Sequence, residues 1–313
     1  MFFLLENEIP FLKGHMGGNE IVLVPRSMLG EGSELALGLK LLERPYVGGD
    51  QLGMLYQEAK GAGLSSKIVD INSRDYLPIC GGMTQVLGKA HRDTNIAELF
   101  ELDLPGPQED LYLETDIGTF TIRTDSTGRV TTIMDSFLDL VYDQGIERGR
   151  IDGILCYRIG NYLVTFEGEI RKEHPGASFC PLDQKTGEIL MGLQKAFGRE
   201  FNRRGENRDF ALMGEPEKKS HAGRLIFPHN LSAGLVEQTC GTGTIAVAMA
   251  LVERGIVTDN GEQELMFESG GDRNYLGGPE LTTVKLESSS GRVKKARFSH
   301  DRVEIIASGK LFF

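Results

Sequence analysis

The sequence predicts an α+β protein built from two halves with the same order of elements. Short runs that are continuously apolar, or that alternate apolar and polar residues, recur along the chain between glycine-rich turns. Forty of the 313 residues are glycine, clustered as GG or GxG, which calls for many tight turns and close backbone approaches and so for a strand-rich fold. A cysteine followed by glycines and then by a helical run occurs twice, at Cys80 and Cys240, a spacing of about half the chain. That spacing suggests a diverged internal duplication rather than a short-period solenoid.

In chain order, "EIVLV" (20–24) reads as a buried strand, and "SELALGLKLLE" (33–43) has helical spacing with Ser33 as its N-cap. "SKIVDINS" is a strand that ends in polar residues before Cys80, and Met83, Val86, Leu87 and Ala90 then share one face of a helix that starts at Gly81. "DLYLETDIGTFTIRTDSTGRVTTIMD" alternates on either side of "DSTG", predicting a hairpin or meander turning there. "RIDGILCYRIGNYLVTFEGEI" predicts two strands broken at Gly160-Asn161. "KTGEILMGLQKAFGREFN" is helical by period, and "RDFALMGE" and "GRLIFPH" are short strands. The helix "TIAVAMALVERG" follows Cys240 and ends at Gly255, a C-terminal capping glycine. More strands follow. The boundary between the halves is placed near 128, at the "STGR" turn, giving a lobe 1–128 with Cys80 and a lobe 129–299 with Cys240.

Charge and motif content narrow the function. A formal net charge of −11 repels phosphate backbones, so no nucleic-acid partner is expected. The short apolar start is interrupted at Glu6 and lacks a positive leader, and no run approaches a membrane span, so no membrane partner is expected and the expected location is the cytoplasm. The cysteines at 80, 156, 180 and 240 show neither CxxC spacing nor disulfide-scaffold density, and the histidines form no HxxxH or HExxH pattern, so no metal site is expected. Cys156 and Cys180 are read as structural, like His15 and Asp50; Lys13 and Lys89 are read as solvated.

A thiol at a helix start sits in the partial positive charge of unpaired N–H groups, which favours the thiolate. The glycines after it leave amides uncovered that can receive a carboxylate. Two such motifs suit proton transfer at an α-carbon, one thiolate removing the hydrogen while the other thiol returns a proton to the opposite face, with the developing charge held by amides of both helix ends.

Six segments in order are similar to motifs of diaminopimelate epimerase: "KGHMGGNEIVLV", "RPYVGGDQLGML", "INSRDYLPICGGMTQ", "RIGNYLVTF", "ENRDFAL" and "TCGTGTIA". The last is equally similar to that of proline racemases, which share the fold. The resemblance implies two pseudo-symmetric lobes, each a curved, mostly antiparallel sheet wrapped around a central helix, with the C-terminal strand, about 300–313, returning to the first lobe. It implies cofactor-independent racemisation or epimerisation of an amino acid, with Cys80 and Cys240 as the acid/base pair. Asn19, Gln51, Asn72, Asn161 and Asn207 match substrate-contacting positions, and the amides around Gly81, Gly82, Gly241 and Thr242 would hold the α-carboxylate.

Departures from the family pattern bear on the substrate. The first motif reads CGGM instead of CGNG, changing a pocket wall at Gly82 and Met83; "GNPH" has become "GNYL"; and the Glu-Arg pair before the second cysteine is replaced by Leu231 and Ser232. Losing a bidentate carboxylate contact argues against a diacid such as diaminopimelate. Glu237 and Arg224 are candidates to meet the substrate's amine or side chain. The expectation is an amino-acid racemase or epimerase without pyridoxal phosphate, inverting the α-carbon of a small-molecule substrate other than diaminopimelate by proton transfer between Cys80 and Cys240. Allylic isomerisation of an unsaturated acid and a silent ligand-binding relative remain alternatives, a homodimer is an open possibility, and which thiol is the base is undecided.

Overall fold

The computed structural model describes residues 8–30, 32–57, 63–177, 184–201, 209–230, 235–237, 239–270 and 280–312. It is α+β and divides into two compact units, Met1–Thr132 with Arg302–Phe313, and Ile133–Asp301.

In the first unit the strands are β1 (Glu8–Met16), β2 (Asn19–Pro25), β3 (Gln51–Tyr56), β4 (Leu64–Asp70), β5 (Asp75–Leu77), β6 (Leu111–Thr115), β7 (Gly118–Thr124) and β8 (Val130–Ile133). The helices between them are α1 (Glu34–Leu42), α2 (Gly81–Asp93) and the short α3 (Ile96–Leu99). In the second unit, α4 (Asp135–Gln144) precedes β9 (Ile146–Ile151), β10 (Ile154–Ile159) and β11 (Tyr162–Phe166). Then come α5 (Glu167–Glu173), α6 (Gln184–Phe201), β12 (Asp209–Gly214), β13 (Gly223–Asn230), β14 (Leu235–Glu237) and α7 (Gly241–Glu253). The strands β15 (Gly261–Ser269), β16 (Leu281–Ser289) and β17 (Arg292–His300) complete it, and β18 (Val303–Phe312) belongs to the first unit.

Strand pairing repeats from one unit to the other. In the first, β18 pairs antiparallel with β1, β1 with β2, and β3 with β4, whereas β2 and β3 run parallel. There β4 meets β5 antiparallel and β6 parallel, and β6 pairs antiparallel with β7. In the second, β9 pairs antiparallel with β10, β10 with β11, and β12 with β13, while β11 and β12 run parallel. Likewise β13 meets β14 antiparallel and β15 parallel, and β15 pairs antiparallel with β16. The sense of each pairing is matched, and a cysteine-led helix follows the same small strand in each: α2 after β5, α7 after β14.

Burial explains why these two helices are central. Along α2, Met83, Val86, Leu87 and Ala90 form the predicted stripe and join a core with Leu12, Ile21 and Leu23 of the surrounding strands. Its polar residues Thr84 and Gln85 are also buried, meeting Thr132 at 2.7 and 2.8 Å, so their groups are satisfied inside the fold. Helix α7 is apolar on all sides and buried from Gly241 to Val252, the pattern of a helix with no face left for water. It stops in a Schellman arrangement: Gly255 has φ +70°, its N–H reaches the Val252 carbonyl at 2.9 Å, and the Ile256 N–H reaches that of Leu251 at 3.0 Å. Arg254 holds this end, bonded to the buried Glu169 at 2.6 Å and lying 4.4 Å from the Phe166 ring centre.

Several local expectations change. Ser33 flanks α1, but its hydroxyl donates to the Gly30 carbonyl at 2.7 Å instead of accepting from the helix. In the stretch read as turning at "DSTG", the antiparallel hairpin β6–β7 turns at Asp116-Ile117, and 125–128 is a second turn leading to β8. The run "FEGEI" continues a strand only to Phe166, because α5 begins at Glu167. Among the described residues, no helix is long and apolar enough to cross a membrane.

Candidate active site

Cys80 and Cys240 occupy the same position in their two helices. Each is the N-cap in extended conformation, with φ −135° and −142°, and each sulfur accepts the N–H three residues on, from Met83 and Gly243 respectively, at 3.4 Å. The side chain thus takes up one of the helix's unpaired donors, as serine or aspartate does at an N-cap. The same contact supports negative charge on sulfur.

The first thiol sits among amides. Its sulfur donates to Gln51 Oε1 at 3.8 Å, and the Gln51 amide is oriented by donating from Nε2 to Asp70 Oδ1 at 3.0 Å. Asp70 also receives the Ser73 N–H at 2.7 Å, tying this chain of contacts to the 71–74 turn. Asn19 lies beside the helix start: a methyl group built on Gly82 would stand 3.4 Å from its Nδ2. Cys80, Gly82, Asn19 and Gln51 are therefore brought together, and Gly81 opens the helix beside them. Asn72 is half-buried in the 71–74 turn, connected through the segment that Asp70 anchors. Met83 is fully buried and packs against Gly53, where a methyl group would stand 2.5 Å from its sulfur.

The second thiol has different company. The Tyr162 hydroxyl lies 3.2 Å from Cys240 Sγ and 2.6 Å from Thr242 Oγ1, and Thr242 Oγ1 is itself 3.5 Å from the sulfur. Burial, and then the neighbouring Cys240, push the Tyr162 phenol well above its ordinary value, with Asp209 on the adjoining strand adding to this. Glycine is required here for a steric reason. A methyl group on Gly243 would stand 2.5 Å from Phe227 and 3.0 Å from Tyr162, and one on Gly241 would collide with the Phe298 ring. Asn161 is half-buried in the two-residue turn before β11, and its carbonyl accepts the Asp209 N–H at 3.0 Å.

The side chain that sequence reasoning missed is Tyr162. Hairpin register would have located it: Met16 pairs with Asn19 in β1–β2, and Ile159 pairs with Tyr162 in β10–β11. Tyr162 therefore holds in the second unit the position that Asn19 holds in the first. Asn207, Cys180, Leu231 and Ser232 lie outside the described residues.

Other candidates have structural duties. Arg224 pairs with Glu217 and with the buried Glu268, 3.3 Å from its Nε. Lys13 is not solvated; it pairs with Glu20 at 2.6 Å and is largely buried. Lys89 pairs with Asp93 one turn on, at 2.8 Å. Asp50 receives the Glu20 N–H at 2.8 Å, and His15 Nδ1 receives that of Gly18 at 3.3 Å. Cys156 is fully buried, and burial pushes its thiol up to about 12, in keeping with a structural cysteine.

No family model and no curated protein matches the sequence. Solved structures do match. A hydroxyproline epimerase from Agrobacterium vitis, with trans-4-hydroxy-L-proline bound, aligns over 98% of this chain and 93% of its own at TM-score 0.63 and 14% identity. A methylitaconate-delta-isomerase aligns over 97% and 95% at 0.60 and 12%. A phenazine biosynthesis protein of the PhzF family from Bacillus anthracis aligns over 98% and 99% at 0.59 and 13%. The chain has the diaminopimelate epimerase-like fold that these proteins share.

Proposed function

We propose that the chain is a racemase or epimerase of an amino acid other than diaminopimelate, working without pyridoxal phosphate by proton exchange between Cys80 and Cys240. The observation that carries this reading is the pair of equivalent N-cap thiols, each bonded to the N–H three residues on, each at the start of the buried helix of its unit. A fold shared with a hydroxyproline epimerase agrees with it.

One thiolate takes the α-hydrogen, and the carbanion's charge spreads into the α-carboxylate. The amides of Gly81, Gly82, Gly241 and Thr242 hold that carboxylate at the positive ends of the two helices. The other thiol then delivers its proton to the opposite face, inverting the centre and leaving the two sulfurs with exchanged protonation. Asn19 and Gln51 supply polar contacts beside the first thiol.

The test is incubation of reduced enzyme in D2O with single amino acids, following α-hydrogen exchange and optical rotation. Racemisation should accompany exchange, and Cys80→Ser and Cys240→Ser should each abolish racemisation. Wild-type racemisation in either variant would end the two-thiol reading. A second reading, allylic isomerisation of an unsaturated acid, is favoured by the likeness to the methylitaconate isomerase. It would show as an ultraviolet change with such an acid and no optical change with amino acids.

A further inference from the structure

The two thiols share a helix position but differ in their neighbours, and the difference assigns their resting roles. We infer that Tyr162 is a positioning residue that holds Cys240 as a hydrogen-bond acceptor while Gln51 holds Cys80 as a donor, so that the resting protein carries the base on Cys240 and the acid on Cys80. The roles of base and acid rest on the function proposed above; the asymmetry of protonation does not.

Consider Cys80 first. Gln51 Nε2 is turned to Asp70, so the atom facing the sulfur is Oε1, which can only accept. The contact exists when Cys80 carries its hydrogen, and a thiolate there would face the lone pairs of a carbonyl. At Cys240 the neighbours are two hydroxyls. Tyr162, Thr242 and the sulfur form a triangle with sides of 2.6, 3.2 and 3.5 Å. Whichever hydroxyl donates across the Tyr162–Thr242 contact, the other keeps a hydrogen within reach of the sulfur, so an ionised Cys240 has a hydroxyl donor beside it in either order, as well as the Gly243 N–H.

The surroundings keep Tyr162 a donor. The titratable groups beside it are Cys240 on α7 and Asp209, its register partner on β12, and both oppose ionisation of the phenol. The uncharged rings of Phe227 on β13 and Phe298 on β17 stand against Gly243 and Gly241 at the helix start. A negative charge at Cys240, which is only part-buried, is thus met by a hydroxyl in addition to the N–H and helix end that Cys80 also has.

The experiment is the pH dependence of iodoacetamide alkylation, measured separately for each cysteine by peptide mass spectrometry, in wild type, Tyr162→Phe and Gln51→Met. In wild type the midpoint for Cys240 should lie below that for Cys80. Tyr162→Phe should raise the Cys240 midpoint, slow its alkylation at neutral pH about tenfold, the size of one hydrogen bond to a charged group, and restore the rate at high pH. Cys80 should be unmoved by that change, whereas Gln51→Met should lower the Cys80 midpoint.

Thiolate absorbance near 240 nm gives a second measurement in case a variant does not fold: at neutral pH it should disappear in Cys240→Ser and persist in Cys80→Ser. Equal midpoints in wild type, a Cys240 profile unchanged by Tyr162→Phe in folded protein, or thiolate absorbance lost in Cys80→Ser would overturn the assignment. Asymmetric thiols with no isotope entering any amino acid would leave the protonation assignment standing and remove the proposed reaction. Symmetric thiols, both required for racemisation, would do the reverse.

Discussion

Replacing Gly243 by alanine tests whether the glycines after Cys240 are there for ring packing or for helix initiation alone. The added methyl would stand 2.5 Å from Phe227 Cε1, 2.9 Å from its Cδ1 and 3.0 Å from Tyr162 Cε1. Carbon–carbon contact needs about 3.5 Å or more, so Phe227 must retreat by about 1 Å and Tyr162 by about half that, inside a packed core. Such overpacking costs about 1–3 kcal/mol. Alanine also gains up to about 1 kcal/mol of helix propensity over glycine, which offsets part of the loss. Gly82→Ala provides the control, because its methyl would meet Asn19 and Ile21 no closer than 3.4 Å. The propensity gain is similar in both variants, so the difference between them isolates the steric overlap, and Gly243→Ala should be the less stable by about 1–3 kcal/mol. Urea unfolding followed by circular dichroism measures this as a lower midpoint at unchanged slope. If Gly82→Ala lost as much as Gly243→Ala, or if Gly243→Ala unfolded with wild type, the argument from ring contacts would be wrong.

Three further outcomes are expected. Glu268 is fully buried, which opposes its ionisation, yet the N–H groups of Glu217 and Lys218, His221 and Arg224 outweigh burial and hold its carboxyl below the usual carboxylate range. Its contribution is therefore complete above the unfolded carboxylate value of about 4.3 and fades as pH falls through the lower folded value; Glu268→Gln should lose about 2–4 kcal/mol near neutrality, with the gap from wild type closing in acid denaturation series. Cys156, with its thiol pushed up to about 12, should resist alkylation in native protein across the neutral range and react only once urea unfolds it. Gly53→Ala and Met83→Ala should be coupled: since the Gly53 methyl would stand 2.5 Å from the Met83 sulfur, removing that side chain makes room for it, and the double variant should lose at least about 1 kcal/mol less than the sum of the singles in urea unfolding.

What the sequence made legible were features with a local cause. A cysteine before glycines and then a helical stripe marks an N-cap, and Gly255 marks a helix end, because caps and periods are written within a few residues. Helix α4 was missed although Phe137, Leu138 and Val141 form its buried face and Gly145, at φ +78°, closes it; the alternation of the strands before it drew the reading past its start. Helix α5 was missed because "FEGEI" alternates like a strand, while its acidic first turn and basic last turn pointed to a helix. The parallel pairings β2–β3 and β11–β12, and the return of β18 to β1, have no local signature, since they join segments separated by helices or by most of the chain.

Tyr162 belongs to this last kind. In "GNYL" it reads as a strand residue that takes the place of another family's motif, and only the register of β10 with β11 and the placement of α7 bring its hydroxyl to a sulfur 78 residues away. Pairing of the same sense in both units puts two cysteines in equivalent backbone settings, and equivalent settings alone would give them equal tendencies to hold a proton. A fixed base and a fixed acid ahead of substrate call for an unequal pair. Among the described residues, the side chains bonded to the two sulfurs do differ: Gln51 at Cys80, and Tyr162 with Thr242 at Cys240.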